Sequence, residues 1–522
     1  MTEQALVSER LSAGLALHRR GDLHEAELHY LSVLALEPTH AEALKLVAVI
    51  ALERGDLARA ARFSESALAV RPDSGEYWHL LGRVQLRQGE LEEARQSLSR
   101  AVSSKPPEIE PAWLDLSACL AKLKAWPQSL AAARQVLESQ PENQLAHRLS
   151  GHASFALEHY EQAILHFDRV LASDATQHSL YHLTSVGLLR LGRPAEAHAR
   201  SVRACLLAPE NAEYGFQRRV AAAAAVPDWH FNMVNDGPRN AAFSAAIAAI
   251  VRPEQRVLEI GTGSGLLAML AARGEGGEAR SAQVVTCESN PLLARTASEI
   301  VAANGLASRV KVVAKPSTEL RIGVDLQAPA DVLICEIFSV QVITEGLLPT
   351  LEDAKSRLLT PDATIIPRAA AARVALASGA ELARRARVQS VHGFDLSCLN
   401  EYTPTLQYLS PEQELELLSA PADLFRFDLA HSLRFPDEKR LLALPVSESG
   451  LCQGVVQWLR LELCAGVDFE NQPGTPEARA SRHWHPVFYP FVEPIAVNAG
   501  QAVTLRASHN RTGLRVELVS AR

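Results

Sequence analysis

VLEIGTGSGLL, residues Val257–Leu267, is the stretch that decides the fold. An apolar run carrying the acid Glu259 leads into glycines at alternate positions, Gly261, Gly263 and Gly265, with Thr262 between the first two. An apolar helical pattern, Leu266–Ala272, comes next. The order predicts a strand, a tight turn and a helix. Glycine adopts positive φ without steric cost and lets a ligand lie against bare main chain at a helix N-terminus.

Further along, Gln283–Thr286 has a short strand pattern, and Glu288 lies just beyond it, 27 positions after Gly261. An acid at the end of the next strand accepts hydrogen bonds from both hydroxyls of a ribose. That pairing suits NAD and S-adenosylmethionine alike. The turn lacks the later glycine of G-x-G-x-x-G, and no second glycine-rich turn follows for a second nucleotide, which favours S-adenosylmethionine. The plainer alternative is a set of helix-capping glycines and a surface glutamate.

Length and composition bound the rest. A chain of 522 residues suits three or so domains at roughly 150 residues each. Contents of 47% hydrophobic and 21% charged residues describe a globular chain rather than a disordered one. The net charge of −8 argues against direct nucleic-acid binding and leans towards a basic partner. Seven cysteines are dispersed without a C-x-x-C pair, as expected of free thiols in a reducing, cytoplasmic compartment. The opening MTEQALVSER lacks the layout of a signal peptide, and no apolar stretch reaches the roughly 18 residues of a membrane span. No clustered His/Cys pattern asks for a metal.

Residues 7–211 repeat with a period of about 34, the tetratricopeptide (TPR) length. Gly21, Gly55, Gly89 and Gly192 mark turns between paired helices, and Ala26, Ala60, Ala94, Ala163 and Ala197 fall five residues after each turn position. Pro38, Pro72, Pro106, Pro141 and Pro209 close repeats, and Trp78 and Trp113 fill the bulky position near a repeat start. The spacing gives about six repeats, with Lys124 and Glu158 standing in for the turn glycine in the fourth and fifth. Such repeats stack into a curved solenoid. It serves either as a groove for docking a peptide or protein, or as a scaffold for the next domain.

Just upstream of the glycine turn, Trp229–Arg239 reads WHFNMVNDGPR. Here the chain resembles the protein arginine methyltransferases: His230, Met233 and Arg239 stand at the spacing of that family's helix before its sheet domain. The resemblance implies that Arg239 pairs with the methionine carboxylate of S-adenosyl-L-methionine, a contact suited to a bidentate guanidinium. It places His230 near the cofactor and Met233 around its methyl group. Gly261, Thr262, Gly263, Gly265 and Glu288 complete the cofactor set, and Ser317 and Thr318, after the strand pattern Val310–Ala314, meet the adenine.

The strand pattern Asp331–Cys335 runs into Glu336, and Glu345 follows nine residues later, matching the family's two-glutamate hairpin with Gly346 and Pro349 behind it. The implied catalytic acids clamp a substrate guanidinium, which arrives charged and planar, and leave one nitrogen lone pair aimed at the sulfonium methyl. Val391–Leu399, VHGFDLSCL, resembles the segment that starts the family's dimer arm, so a homodimer or an intramolecular mimic of one is expected. Arg482–Tyr489 reads RHWHPVFY. By resemblance, His483 supports the substrate pocket with an acid as partner, and Trp484 lines it.

Some positions depart from the family pattern. Cys335 and Arg482 replace hydroxyl residues, Glu259 stands where aspartate is commoner, and the paired tyrosines expected before His230 are absent from the alanine-rich Arg219–Val226. The expected architecture is multidomain. An all-α TPR solenoid over 1–212 leads to linking helices with the lid motif over 213–240. An α/β Rossmann-like S-adenosylmethionine core of the seven-stranded type spans 241–368, and a β-rich, barrel-like substrate domain spans 369–522 with strands such as Arg373–Leu376, Gly454–Cys464 and Ala502–Ala507. The expected function is S-adenosylmethionine-dependent methylation of arginine in a protein substrate, yielding S-adenosyl-L-homocysteine. Two alternatives stay open: an inactive TPR/Rossmann binding scaffold, and a methyltransferase for another substrate.

Overall fold

Apolar residues spaced three and four apart make the described residues up to Ala225 mostly helical. In the computed structural model, which describes residues 3–104, 110–273, 283–410, 412–481 and 483–521, six helix hairpins follow one another. They are Glu3–Arg20 with Leu23–Leu36, Ala41–Glu53 with Leu57–Val70, Gly75–Gln88 with Leu91–Ser103, Glu110–Lys122 with Trp126–Ser139, Gln144–Ala156 with Tyr160–Ser173, and His178–Arg190 with Pro194–Leu207. A further helix, Ala212–Ala225, ends the series. The turn glycines Gly21, Gly55, Gly89 and Gly192 all have positive φ. Lys124 (φ 58°) and Glu158 (φ 61°) adopt the same left-handed turn without being glycine. Ala26, Ala60, Ala94, Ala163 and Ala197 are fully buried where paired helices meet. Pro106 lies outside the described residues.

The chain divides into two compact units, Met1–Ala224 and Ala225–Arg522. In the second, β1 (Arg256–Ile260), β2 (Gln283–Cys287), β3 (Val310–Val313), β4 (Ala330–Cys335) and β5 (Leu359–Ile366) form a parallel sheet in the order β3-β2-β1-β4-β5. Nearly every side chain of β1 and β4 is buried, as both faces of a parallel sheet require. Among the described residues the sheet has five strands, where seven were expected. After β5 the chain crosses Ile366–Pro367 and enters β6 (Ala369–Ser378), which pairs antiparallel with Ala422–Asp428 and Gly450–Cys464 instead of returning to the parallel sheet.

Hydrogen bonding divides the barrel-like part into two antiparallel sheets, one of seven strands built around β6, Gly450–Cys464 and Val487–Val497, and one of three, Glu438–Pro445, Ala502–His509 and Leu514–Ala521. A single apolar core runs from Phe243, Leu258 and Leu333 of the sheet domain to Val374, Leu459 and Trp484 of the β region. That continuity fixes the walls of the cleft between them. No helix among the described residues is long and apolar enough to cross a membrane. All seven cysteines are free.

Candidate active site

The carboxyl ends of β1, β2 and β4 gather the glycine turn, Glu288 and Glu336 at one edge of the sheet, where open α/β sheets place their ligands. Gly261 (φ 90°) lets this happen: a Cβ there would come within 2.7 Å of Ile337 Cγ2 and 3.5 Å of the Glu336 carbonyl oxygen. The hairpin after β4 therefore lies directly against the turn. Gly263 is also left-handed, and a Cβ on it would touch Met233 Cε at 3.4 Å. Met233 is thus seated over the turn. A recess of about 340 Å³ lined by Arg256, Gln283, Val310 and Ala330 opens at the opposite, amino ends of the strands and is separate from this site.

Main-chain donors hold the Glu288 carboxylate in place. Its Oε2 accepts from the Gly263 main-chain N–H at 3.1 Å and its Oε1 from that of Asn290 at 2.8 Å. Ser289 Oγ also donates to Oε1 at 3.5 Å, and Oε2 keeps a second acceptor direction. His230 bonds the Pro227 carbonyl through Nδ1 at 3.2 Å, and desolvation lowers its pKa against the opposing pull of that bond and of the Glu288 charge. Ser317 is buried and Thr318 exposed in a short turn after β3. Arg357 holds that turn by donating to the carbonyls of Ser317, Thr318 and Leu320.

The centre of the cleft is a buried ion pair. Arg239 donates from Nε to Glu336 Oε1 at 3.1 Å, with Nη2 at 3.1 Å from Oε2, and both side chains are nearly inaccessible. Nη1 donates to Asn240 Oδ1 at 2.7 Å. The hydrogen bonds from Nε and Nη1 leave further guanidinium N–H donors for a second carboxylate. The expected partner of Arg239 was the cofactor carboxylate. The structure shows Glu336 as its protein partner. Desolvation raises the Glu336 pKa, and the Arg239 charge and hydrogen bond oppose it.

Glu345 is exposed by surface area, yet protein on its flanks desolvates the carboxyl and the Glu336 charge lies close enough to add to the effect; together they push its pKa up to about 7. Glu259, fully enclosed, is pushed up to about 8 by desolvation, and Thr286 Oγ1 donates to its Oε2 at 2.5 Å. Thr286 in turn shares a 2.6 Å hydrogen bond with Thr262 of the glycine turn. The extra methylene of Glu259 therefore ends in a closed hydroxyl chain. Cys335, ahead of Glu336, is buried, and burial pushes its thiol up.

Asp236 is the functional residue that motif matching overlooked. Its Oδ1 caps the helix Gly237–Ile250 by accepting from the Arg239 N–H at 3.0 Å, which orients the guanidinium. Its Oδ2 accepts from Ser481 Oγ at 2.6 Å and from the His483 main-chain N–H at 3.2 Å. Asp-Gly-Pro ahead of an apolar helix is a legible cap signal. Asp236 meets the main chain of His483, while the ring Nδ1 is buried and makes no hydrogen bond among the described residues. Desolvation and then the Arg239 charge push His483 down to about 4, so the ring is neutral at pH 7. Trp484 is buried and donates from Nε1 to the Phe338 carbonyl at 2.8 Å, bracing the hairpin between the two glutamates. Arg482 lies outside the described residues.

With this geometry in place, the comparisons with known proteins become informative. Tetratricopeptide-repeat profiles match residues 11–63, 51–123 and 120–178. The profile of the ribosomal protein L11 methyltransferase (PrmA) family matches residues 244–366, the cofactor sheet without the β region. An arginine N(omega)-methyltransferase of Streptomyces achromogenes subsp. streptozoticus is 38% identical over 298 residues, covering 56% of this chain and 79% of that protein. Protein arginine N-methyltransferase 7 of Oryza sativa subsp. indica is 31% identical over 325 residues, covering 55% of this chain and 44% of that protein. The chain thus spans less than half of the rice relative's length. Among solved structures, the Trypanosoma brucei PRMT1 enzyme–prozyme heterotetrameric complex with AdoHcy aligns at 22% identity with a TM-score of 0.47, over 56% of this chain and 93% of that one.

Proposed function

The chain belongs to the arginine N-methyltransferase family, and from that premise we propose that it moves the methyl group of S-adenosyl-L-methionine to a guanidinium nitrogen of arginine in a protein substrate, with S-adenosyl-L-homocysteine as the other product. The observation that carries this is the Arg239–Glu336 pair packed against the Gly261 turn, with Glu345 alongside. The cofactor supplies an electrophilic sulfonium methyl. Glu288 takes the ribose hydroxyls, Ser317 and Thr318 border the adenine, Thr262, His230 and Met233 enclose the remainder, and Arg239 takes the methionine carboxylate through its remaining donors.

Glu336 and Glu345 hold the substrate guanidinium through its N–H donors, each charge-assisted bond contributing about 1.5–3 kcal/mol. The grip draws positive charge towards the carboxylates and away from the attacking nitrogen. As a nitrogen–carbon bond forms and the carbon–sulfur pair returns to sulfur, the nitrogen sheds one proton. Glu345, with a pKa near 7 and open to solvent, is the group suited to receive it. Neutral His483 and Trp484 wall the substrate side. Most of the acceleration then comes from orientation.

The test is radiolabelled methyl transfer followed by amino-acid analysis of the products. Label in methylarginine supports the assignment, and label in any other residue refutes it. A second reading, methylation of free arginine, is favoured by the 38%-identical relative, whose name specifies arginine without protein. Parallel assays with free arginine and an arginine-rich polypeptide separate the two.

For partners, we infer peptide or protein docking on the TPR solenoid. We also infer self-association through residues 390–402, where Val391, Phe394, Leu399 and Tyr402 stand exposed. Exposed apolar groups clustered in this way mark interaction surfaces. Seven free cysteines favour a reducing, cytoplasmic setting.

A further inference from the structure

A column of aromatic rings crosses the cleft. Trp229 opens the short helix Trp229–Val234, and its indole stacks on His230 with centroids 3.7 Å apart and planes inclined by 25°. It also approaches His483 at 5.6 Å and 33°. His483 lies 5.1 Å from Trp484, which lies 5.4 Å from Phe469. The first two rings belong to the segment that seats Met233 over Gly263. The last three belong to the β region, where Trp484 braces the glutamate hairpin. Trp229 is therefore the ring at which the two walls of the cleft meet.

The helix it opens has little else to hold it. Six residues are too few to sustain a helix by main-chain bonds alone, and Asp228 at its start makes no side-chain cap. The preceding helix ends in five alanines, Ala221–Ala225, which offer no ring. Phe231 points to solvent and Trp229 and Val234 are partly exposed, so buried Met233, the Asn240 Nδ2 bond to the Val234 carbonyl at 2.7 Å and the ring contacts of Trp229 attach the helix to the body of the unit.

We propose that Trp229 is a positioning residue: its indole, beside His230 and His483, latches the helix Trp229–Val234 over the glycine turn and couples the cofactor wall to the substrate wall. Desolvation lowers both imidazoles, which keeps them uncharged and lets the column stack without mutual repulsion at pH 7. The proposal rests on the assignment of the cleft as the S-adenosylmethionine site.

Calorimetric titration with S-adenosylhomocysteine tests it on the full-length chain. With the column's two Trp229 contacts removed, Trp229→Ala should weaken binding about tenfold, and Trp229→Phe, which keeps a ring, should stay within about threefold of wild type. A double-mutant cycle with His483→Ala gives a readout that a purely structural role would not move. If the rings act as one latch, the double variant binds within about threefold of the weaker single variant. Multiplicative losses, or wild-type affinity in Trp229→Ala, overturn the latch. If Trp229→Ala does not fold, the same cycle run with Trp229→Phe and Trp229→Leu decides, a threefold or smaller difference between those two overturning the proposal. Failure of the wild-type chain to bind S-adenosylhomocysteine would instead remove the cofactor assignment itself, so the two failures are distinct.

Discussion

Replacing Glu336 by glutamine should separate stability from cofactor affinity. The side chain keeps its shape, and its amide oxygen can still accept one of the two Arg239 contacts now at 3.1 Å. The other contact becomes N–H against N–H, and the buried guanidinium loses its counter-charge. Breaking one partner of a buried pair costs about 3–5 kcal/mol, and the retained hydrogen bond returns part of that, leaving a loss of ~2–3 kcal/mol. For a unit of this size the melting temperature should fall by roughly 3–5 °C. The orphaned guanidinium should then prefer any carboxylate within reach. S-adenosylhomocysteine carries one, so it should raise the melting temperature of the variant more than that of wild type at equal saturation. Methyl transfer should be lost. Thermal melts with and without S-adenosylhomocysteine provide the assay. An unchanged ligand-free melting temperature, or a smaller ligand-induced gain than in wild type, refutes the double role of Arg239.

Glu345→Gln should cut methyl transfer at least about a hundredfold and leave S-adenosylhomocysteine affinity within about threefold, because the residue faces substrate and solvent; retained turnover in the radiolabel assay contradicts its role. In the solenoid, His166 shares a 2.9 Å Nδ1–Nδ1 hydrogen bond with His147 and is pushed down to about 4 by desolvation, then by His147 and Arg134. A histidine favoured in its neutral form gives its full stabilisation above its unfolded pKa of 6.5 and loses it as pH falls through the window from 6.5 to about 4. Partial exposure reduces the loss by pH 5 to ~1–2 kcal/mol, and urea melts at pH 7 and pH 5 should show it, with His166→Phe abolishing that share. If residues 390–402 join two copies, Phe394→Glu should shift sedimentation towards the monomer, and identical profiles would exclude this surface.

Local signals carried far in this protein. Val257–Ile260, the glycines and Leu266–Ala272 form the predicted strand, turn and helix because each depends on neighbours within a few residues. Lys124 and Glu158 were legible as turn positions by register alone, and both take left-handed φ. Contacts between distant segments were less legible. That Arg239 holds Glu336 depends on how the capped helix Gly237–Ile250 meets the end of β4, and no periodicity encodes it. The neutral ring of His483 follows from its burial, and the contact of Asp236 with the His483 main chain is one that side-chain motif matching does not see. The five-stranded sheet has the same cause: Ala369–Ser378 reads as a strand in either sheet, and only its antiparallel partners decide which.

The hairpins of the first unit have a consequence for how this chain can change over time. In a stack of this kind each layer leans only on its two neighbours. A whole layer can be duplicated, worn down or dropped with the damage confined to the adjoining seams. Turnover of repeats is thus open to selection, and the reach of this arm can lengthen or shorten by steps.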